Sequence, residues 1–207
     1  MIRRGRFITF EGIEGAGKST LQRAVAAALS ARGQGVIATR EPGGTPLAEQ
    51  IRELALARRD DGMPPTTELL LMFAARAAHV SQLLEPALAR GDWVLCDRFT
   101  DASRAYQGAG RGVDAGVIDA LAGIAHPQLH PDLTFLLDIP PEAGLARARS
   151  RSATGDRFED ETLAFFARVR AGYLQLAQRE PARFRVLDAT RTAAQLLDDA
   201  MRELGTA

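Results

Sequence analysis

The chain has 207 residues, and its 26 Lys+Arg balance its 26 Asp+Glu, so the formal net charge at pH 7 is zero. That balance gives no electrostatic reason to expect nucleic acid or an anionic membrane as partner. The length suits one well-packed domain over 1–207, no apolar run approaches the ~18 residues of a membrane span, and one cysteine with three scattered histidines makes neither a disulfide framework nor a metal cluster.

The basic start, Met1 to Arg6, leads into a short strand rather than a signal-peptide core, which points to the cytoplasm. Phe7, Ile8, Thr9 and Phe10 are β-branched or aromatic and predict a strand over 7–11. It runs into Gly12-Ile13-Glu14-Gly15-Ala16-Gly17-Lys18-Ser19-Thr20, the G-x-x-x-x-G-K-S phosphate-loop pattern. Apolar residues at helical spacing then predict a helix over 18–32. Glycines at 12, 15 and 17 let backbone N–H groups converge on phosphate oxygens, and the helix N-terminus adds partial positive charge. Lys18 reaches β/γ-phosphates in such a loop, and the Ser19 hydroxyl binds Mg²⁺. Lys18 is the only lysine in the chain, so this position resists replacement by arginine.

Further strands are predicted over 36–40, 93–97, 133–138 and 184–187, and further helices over 46–58, 66–90, 115–125, 141–150, 159–179 and 192–204. This alternation predicts an α/β chain: a three-layer P-loop fold with a five-stranded, mostly parallel sheet and helices on both faces. The lone Cys96 falls in Trp93-Val94-Leu95-Cys96, a buried-strand composition. In such a sheet ligands bind at the carboxyl ends of the strands. Those ends carry Glu11, Arg40-Glu41, Asp97-Arg98 and Asp138, charges that are costly in a dry core and suit a wet, phosphate-rich cleft.

In the helix over 66–90, Arg76 shares an apolar stripe with Phe73, Val80 and Leu83. It snorkels to solvent, forms an internal ion pair, or meets a ligand with Phe73 as a stacking surface. Asp97 lies on a strand where a P-loop protein places its Mg²⁺-supporting carboxylate, and Arg98 follows it, able to hold a second phosphoryl group. Tyr106-Gln107 precedes a glycine-rich turn over 108–112.

Six pieces now stand in order: Phe10-Glu11-Gly12 with the phosphate loop, Thr39-Arg40-Glu41-Pro42-Gly43-Gly44-Thr45, Phe73-Ala74-Ala75-Arg76-Ala77-Ala78-His79, Asp97-Arg98-Phe99, Ala105-Tyr106-Gln107-Gly108 and Asp156-Arg157-Phe158-Glu159. Together they make the chain resemble bacterial thymidylate kinases over nearly its whole length. The resemblance implies ATP and dTMP as substrates, Mg²⁺ as cofactor and a homodimer as the assembly. It implies that Phe73 stacks on thymine, Arg76 hydrogen-bonds the base, and Arg98 and Arg52 hold the dTMP phosphate. Ser103 would sit near the base N3 edge, Tyr106 against the deoxyribose, and Gln107 in support of the nucleoside. Glu11 would help arrange Mg²⁺ and the acceptor phosphate, beside Ser19 and Asp97. The helices over 66–90 and 159–179 are long enough to supply a dimer face.

The ATP side is expected to comprise Gly12, Glu14, Gly15, Ala16, Gly17, Lys18, Ser19 and Thr20, together with a lid near 147–157. That segment is dense in arginine: Arg147, Arg149, Arg151 and Arg157. It is either a solvated basic helix end or a lid that brings cationic charge to the transferring group. Some thymidylate kinases keep a catalytic arginine in the phosphate loop, where this chain has Glu14, so the lid should supply it. Arg151 is the leading candidate, joining Lys18, Arg98 and Glu11 as the expected catalytic set. The competing readings are a kinase for another nucleotide and a nucleotide-dependent switch. A guanine-specific switch would need an Asn-Lys-x-Asp base reader, and this chain has no asparagine.

Overall fold

All five residues of β1 (Phe7–Glu11) are buried, as a strand covered on both faces requires. The computed structural model describes residues 4–151, 158 and 161–205. In it β1 is the middle strand of a sheet with β2 (Val36–Arg40), β3 (Trp93–Asp97), β4 (Leu133–Asp138) and β5 (Phe184–Asp188), ordered β2-β3-β1-β4-β5. Every pairing is parallel. The register sets Phe10 and Arg40 opposite Asp97, and Glu11 opposite Leu136, so the charged strand ends share one edge.

The helices are α1 (Lys18–Ser30), α2 (Pro46–Leu56), α3 (Pro65–His79), α4 (Glu85–Ala89), α5 (Thr100–Ser103), α6 (Ala115–Ala125), α7 (Pro141–Arg151), α8 (Leu163–Arg179) and α9 (Ala193–Glu203). Leu21, Val25 and Leu29 bury one stripe of α1. Its buried Gln22 donates from Nε2 to the carbonyls of Thr39 (2.6 Å) and Leu95 (2.8 Å), fastening the helix after the phosphate loop to β2 and β3. On α8, Phe165, Phe166, Val169 and Tyr173 enter the main core. Burying side chains of this size contributes about 1.5–3 kcal/mol each.

Three sequence expectations change in detail. The helix expected over 66–90 is α3, a wider π-helical turn over Val80–Leu84, and α4. The helix expected from 159 starts at Leu163, where the Thr162 hydroxyl accepts from the Phe165 N–H. The glycine-rich turn after Gln107 is instead helical: α5 widens into a π-helical turn over Arg104–Gly110. Glycine there serves packing. A Cβ on Gly110 would lie 2.6 Å from the Phe165 ring, so glycine lets α8 close on this turn.

Candidate active site

The loop between β1 and α1 wraps the N-terminus of α1. Gly15 has φ of 74°, and a Cβ there would sit 1.9 Å from the Gly144 carbonyl on α7, so only glycine permits this approach. The Lys18 ammonium donates to the Ile13 carbonyl at 3.0 Å, which closes the loop and keeps the cation at its mouth. Burial lowers its pKa below the usual lysine range, and neighbouring Arg98 adds to the effect against the carboxylates of Glu14, Asp97 and Glu11. The Ser19 hydroxyl donates to Asp97 Oδ2 at 2.5 Å, so a hydroxyl and a carboxylate meet beside the loop.

Arg98 follows β3 in the left-handed region, with φ of 71°, and is the only non-glycine residue there among the described residues. Such a conformation costs of order 1 kcal/mol and persists where the surroundings fix it. Here they do: the guanidinium donates to Gly12 O (3.0 Å), Glu14 Oε1 (2.5 Å), Tyr106 Oη (3.0 Å) and Tyr173 Oη (3.3 Å). It also lies 4.6 Å from the centre of the Tyr106 ring.

Behind Arg98, Glu11 is fully buried. It accepts from the Phe99 N–H and the Tyr173 hydroxyl, both at 2.7 Å. Burial, with the charge of Asp101 next, pushes its carboxyl up to about 8, against the opposing pull of Tyr173, Arg98 and the Phe99 amide.

Arg76 is 3% exposed. Its Nε donates to Glu41 Oε2 at 2.7 Å, while Nη1 and Nη2 donate to Ser103 Oγ and Nη2 to the Phe99 carbonyl, each at 3.1 Å. Glu41 also meets His79 Nδ1 at 3.0 Å. Burial alone would raise the Glu41 carboxyl, but Arg76 and His79 override it and hold it below the usual carboxylate range. Of the three readings of Arg76, the internal ion pair is present, and the same guanidinium also borders the cleft. Removing one member of a buried pair of this kind typically costs about 3–5 kcal/mol.

Lys18, Ser19, Asp97, Arg98, Arg76 and Glu41 line one cleft of about 200 Å³. It gathers Glu14, Gly15, Gly17, Lys18, Ser19, Arg52, Arg76, Asp97, Arg98, Ser103, Tyr106 and Gln107 from the sequence expectations. Arg52, which lines the same wall, donates to the Pro42 carbonyl at 2.9 Å.

Several expected residues stand elsewhere. Gly12, Ala16 and Thr20 belong to the loop and first turn but do not line the cleft, and neither does Glu11. Phe73 does not line it either. It packs with Leu69, Ile118 and Ala122, under the Arg76 guanidinium at 4.5 Å, and Met72 faces the cleft in its place. The reason is the seating of α3: its Phe73 side is taken up by α6. Helical periodicity puts both residues near Arg76, and no local signal in the sequence separates them. Arg147 donates to the Ala189 carbonyl at 2.8 Å, and Arg149 is exposed. Arg151 ends α7, with only its backbone described, and Arg157 with the rest of the lid over 152–157 lies outside the described residues.

Sequence reasoning missed Leu56, Met72 and Phe158 as lining residues, whereas Arg40 and Glu41, expected in the cleft as strand-end charges, do line it; what it missed of Glu41 is the pairing with Arg76 and His79. Glu41 had a signal, since Arg76 and His79 stand three apart on one helix and each needs a buried partner.

A parallel sheet, a phosphate loop at its carboxyl edge and a second cationic centre, Arg98, in the same cleft define a P-loop nucleotide-binding protein with room for a second phosphorylated ligand. The family model described as "Thymidylate kinase" matches residues 10–200. A thymidylate kinase of Methylococcus capsulatus is 59% identical over 190 residues, covering 92% of this chain and 90% of the relative. One of Teredinibacter turnerae is 54% identical, covering 97% of each. The crystal structure of thymidylate kinase from Ehrlichia chaffeensis superposes with a TM-score of 0.79 at 32% identity, covering 97% of this chain and 99% of that one. The chain belongs to the thymidylate kinase family.

Proposed function

We propose that the chain transfers the γ-phosphoryl group of ATP to dTMP, giving dTDP and ADP, as one kinase unit over 1–207. The observation that supports this most is the pair of cationic centres in one cleft: Lys18 at the phosphate loop and Arg98, with Arg52, lining the same cleft. A phosphate loop alone serves a hydrolase equally well. A second phosphate site calls for an acceptor.

The acceptor phosphate is already anionic near neutral pH, so it needs no strong general base. One of its oxygens forms the new bond to the γ-phosphorus as the bridge to ADP breaks, and catalysis is alignment plus charge neutralisation. Arg98 is prepared for the acceptor, since Glu14 now occupies it at 2.5 Å and an arriving phosphate would displace that carboxylate. Arg76 and Ser103 read the base, Met72 offers it an apolar surface, and Tyr106 crowds the sugar's 2′ position. Arg151 from α7 adds charge to the transferring group.

A hydroxyl and a carboxylate beside a phosphate loop fit Mg²⁺, which usually takes one or two protein oxygens plus phosphates and water. Ser19 and Asp97 would hold it, and it would neutralise charge on the phosphates. Glu11 fits that set poorly, because both its oxygens are engaged inside the protein.

Exposed apolar side chains on three neighbouring helices, Leu47 and Leu54 of α2, Leu70 of α3, and Val117 and Ile124 of α6, favour a homodimer through that side. Phe165, Phe166, Val169 and Tyr173 of α8 are used inside the core, and of its large apolar residues only Leu163 is among the exposed ones. No helix among the described residues is long and apolar enough to cross a membrane, in keeping with a cytoplasmic enzyme.

The test is ADP and dTDP formation with and without dTMP. Equal ADP and dTDP, and negligible ADP without acceptor, are expected. Steady ATP hydrolysis without dTMP would mean a switch, and faster turnover of another monophosphate would mean a different acceptor.

A further inference from the structure

Gln107 lines the cleft on the π-helical turn, four residues after Ser103, and Arg76 lines the same cleft. Its amide has a partner outside the cleft. Glu68, in the first turn of α3 and fully buried, accepts from Gln107 Nε2 at 2.7 Å through Oε1. The other Glu68 oxygen accepts from Arg111 Nη2 at 3.3 Å. Arg111 also pairs with Glu161 at 2.6 Å and covers the Phe165 ring at 4.6 Å.

A carboxylate accepts hydrogen bonds and cannot donate them. Facing Glu68, the Gln107 amide is stable in only one of its two flip states, with the NH₂ group toward Glu68 and the carbonyl Oε1 on the other side. Arg76 is constrained in the opposite sense. Four hydrogen bonds leave one of its five N–H donors, on Nη1. The cleft therefore offers a donor from Arg76 and an acceptor from Gln107. That pair complements an imide edge, a C=O next to an N–H, as in thymine or uracil. Cytosine reverses both groups.

The geometry points to Glu68 as a positioning residue for base specificity, which fixes the flip state of the Gln107 amide so that the cleft accepts imide pyrimidines and rejects cytosine. This rests on the cleft being the nucleoside monophosphate site.

The test compares kcat/KM for dTMP and dCMP in wild type, Glu68→Gln and Arg111→Met. A glutamine at 68 both donates and accepts, so the Gln107 amide is freed to flip. The ratio of dTMP to dCMP should then fall roughly 10–100-fold, because the wrong base no longer leaves buried groups unpaired. Most of the change should be in KM. Arg111→Met leaves the carboxylate on Gln107 and should keep the wild-type ratio. In a Gln107→Leu background, Glu68→Gln should leave the ratio unchanged. If Glu68→Gln alone keeps the wild-type ratio, or shifts it equally with and without Gln107, the positioning role is wrong. If Glu68→Gln does not fold, Gln107→Leu still decides, since an unchanged ratio in that variant overturns the proposal. Absence of dTMP phosphorylation in the wild type would instead refute the reading of the cleft.

Discussion

Arg76 and Arg149 are both helical arginines, yet one is 3% exposed with four hydrogen bonds from its guanidinium and the other is a surface residue. The contrast extends to their surroundings. On the acceptor side, Arg76, Glu41, His79 and Thr39 form one chain of contacts, and Arg98 has a partner on every side. On α7, the described arginines stand at the surface. The acceptor side is therefore shaped before any ligand arrives, at the cost of desolvating several charges. The α7 end has no such cost, and the role proposed for it requires a phosphate chain to be present.

Substitutions can break this contrast at either end. Arg98→Ala should be the most severe, lowering kcat/KM by about 10⁴–10⁵, since it removes charge from the transferring phosphates as well as from the bound acceptor. Steady-state kinetics should show a lower kcat together with a raised KM for dTMP. A fall confined to KM would confine Arg98 to ground-state binding.

On the proposed role of Arg151 in the transition state alone, Arg151→Ala should lose roughly 10²–10⁴ in kcat with little change in the KM for dTMP. Arg147→Ala and Arg149→Ala should lose less. If all of them, and the variant lacking the four arginines of 147–157, keep near-wild-type kcat, that stretch is only a solvated helix end.

Glu41→Gln should cost about 3–5 kcal/mol of stability by leaving Arg76 without its counter-charge, whereas Arg149→Ala should stay within about 0.5 kcal/mol. Urea unfolding of the two variants checks both. Equal costs would erase the difference between the two regions.

The smallest effect concerns pH. The Glu11 carboxyl stands at about 8 in the folded protein against an ordinary 4.5, so the folded state holds a proton that the unfolded chain releases. Its contribution to stability is complete below 4.5 and is lost as pH rises through 8. Burial lowers His126 from 6.5 to about 4, so its contribution is lost instead as pH falls below 6.5. Between pH 6.5 and 8, urea midpoints should fall in wild type and stay flatter in Glu11→Gln. Parallel profiles would mean that Glu11 is ionised in the folded state.

The phosphate loop was legible because its glycines, lysine and serine are consecutive and their chemistry is local. The strand-end charges were legible because a parallel sheet puts its carboxyl ends on one edge. The cleft-lining residue of α3 beside Arg76 was not. Met72 and Phe73 differ only in which neighbour α3 rests against, and that is decided by α6, more than forty residues later. The burial of Glu11 was hidden for a related reason: its place at a strand end was visible, but its burial behind Arg98 depends on Tyr173 arriving from α8. The helical turn over Arg104–Gly110 was hidden by Gly108 and Gly110, poor helix formers that pack against α6 and α8 respectively.

The most direct measurement is a calorimetric titration of dTMP into the protein with no donor nucleotide present. A preformed acceptor side predicts saturable binding of one dTMP per chain, with dCMP markedly weaker. Binding that appears only after a non-hydrolysable ATP analogue is added, or that is equal for dTMP and dCMP, would contradict a site shaped in advance by Arg76, Glu41 and Arg98.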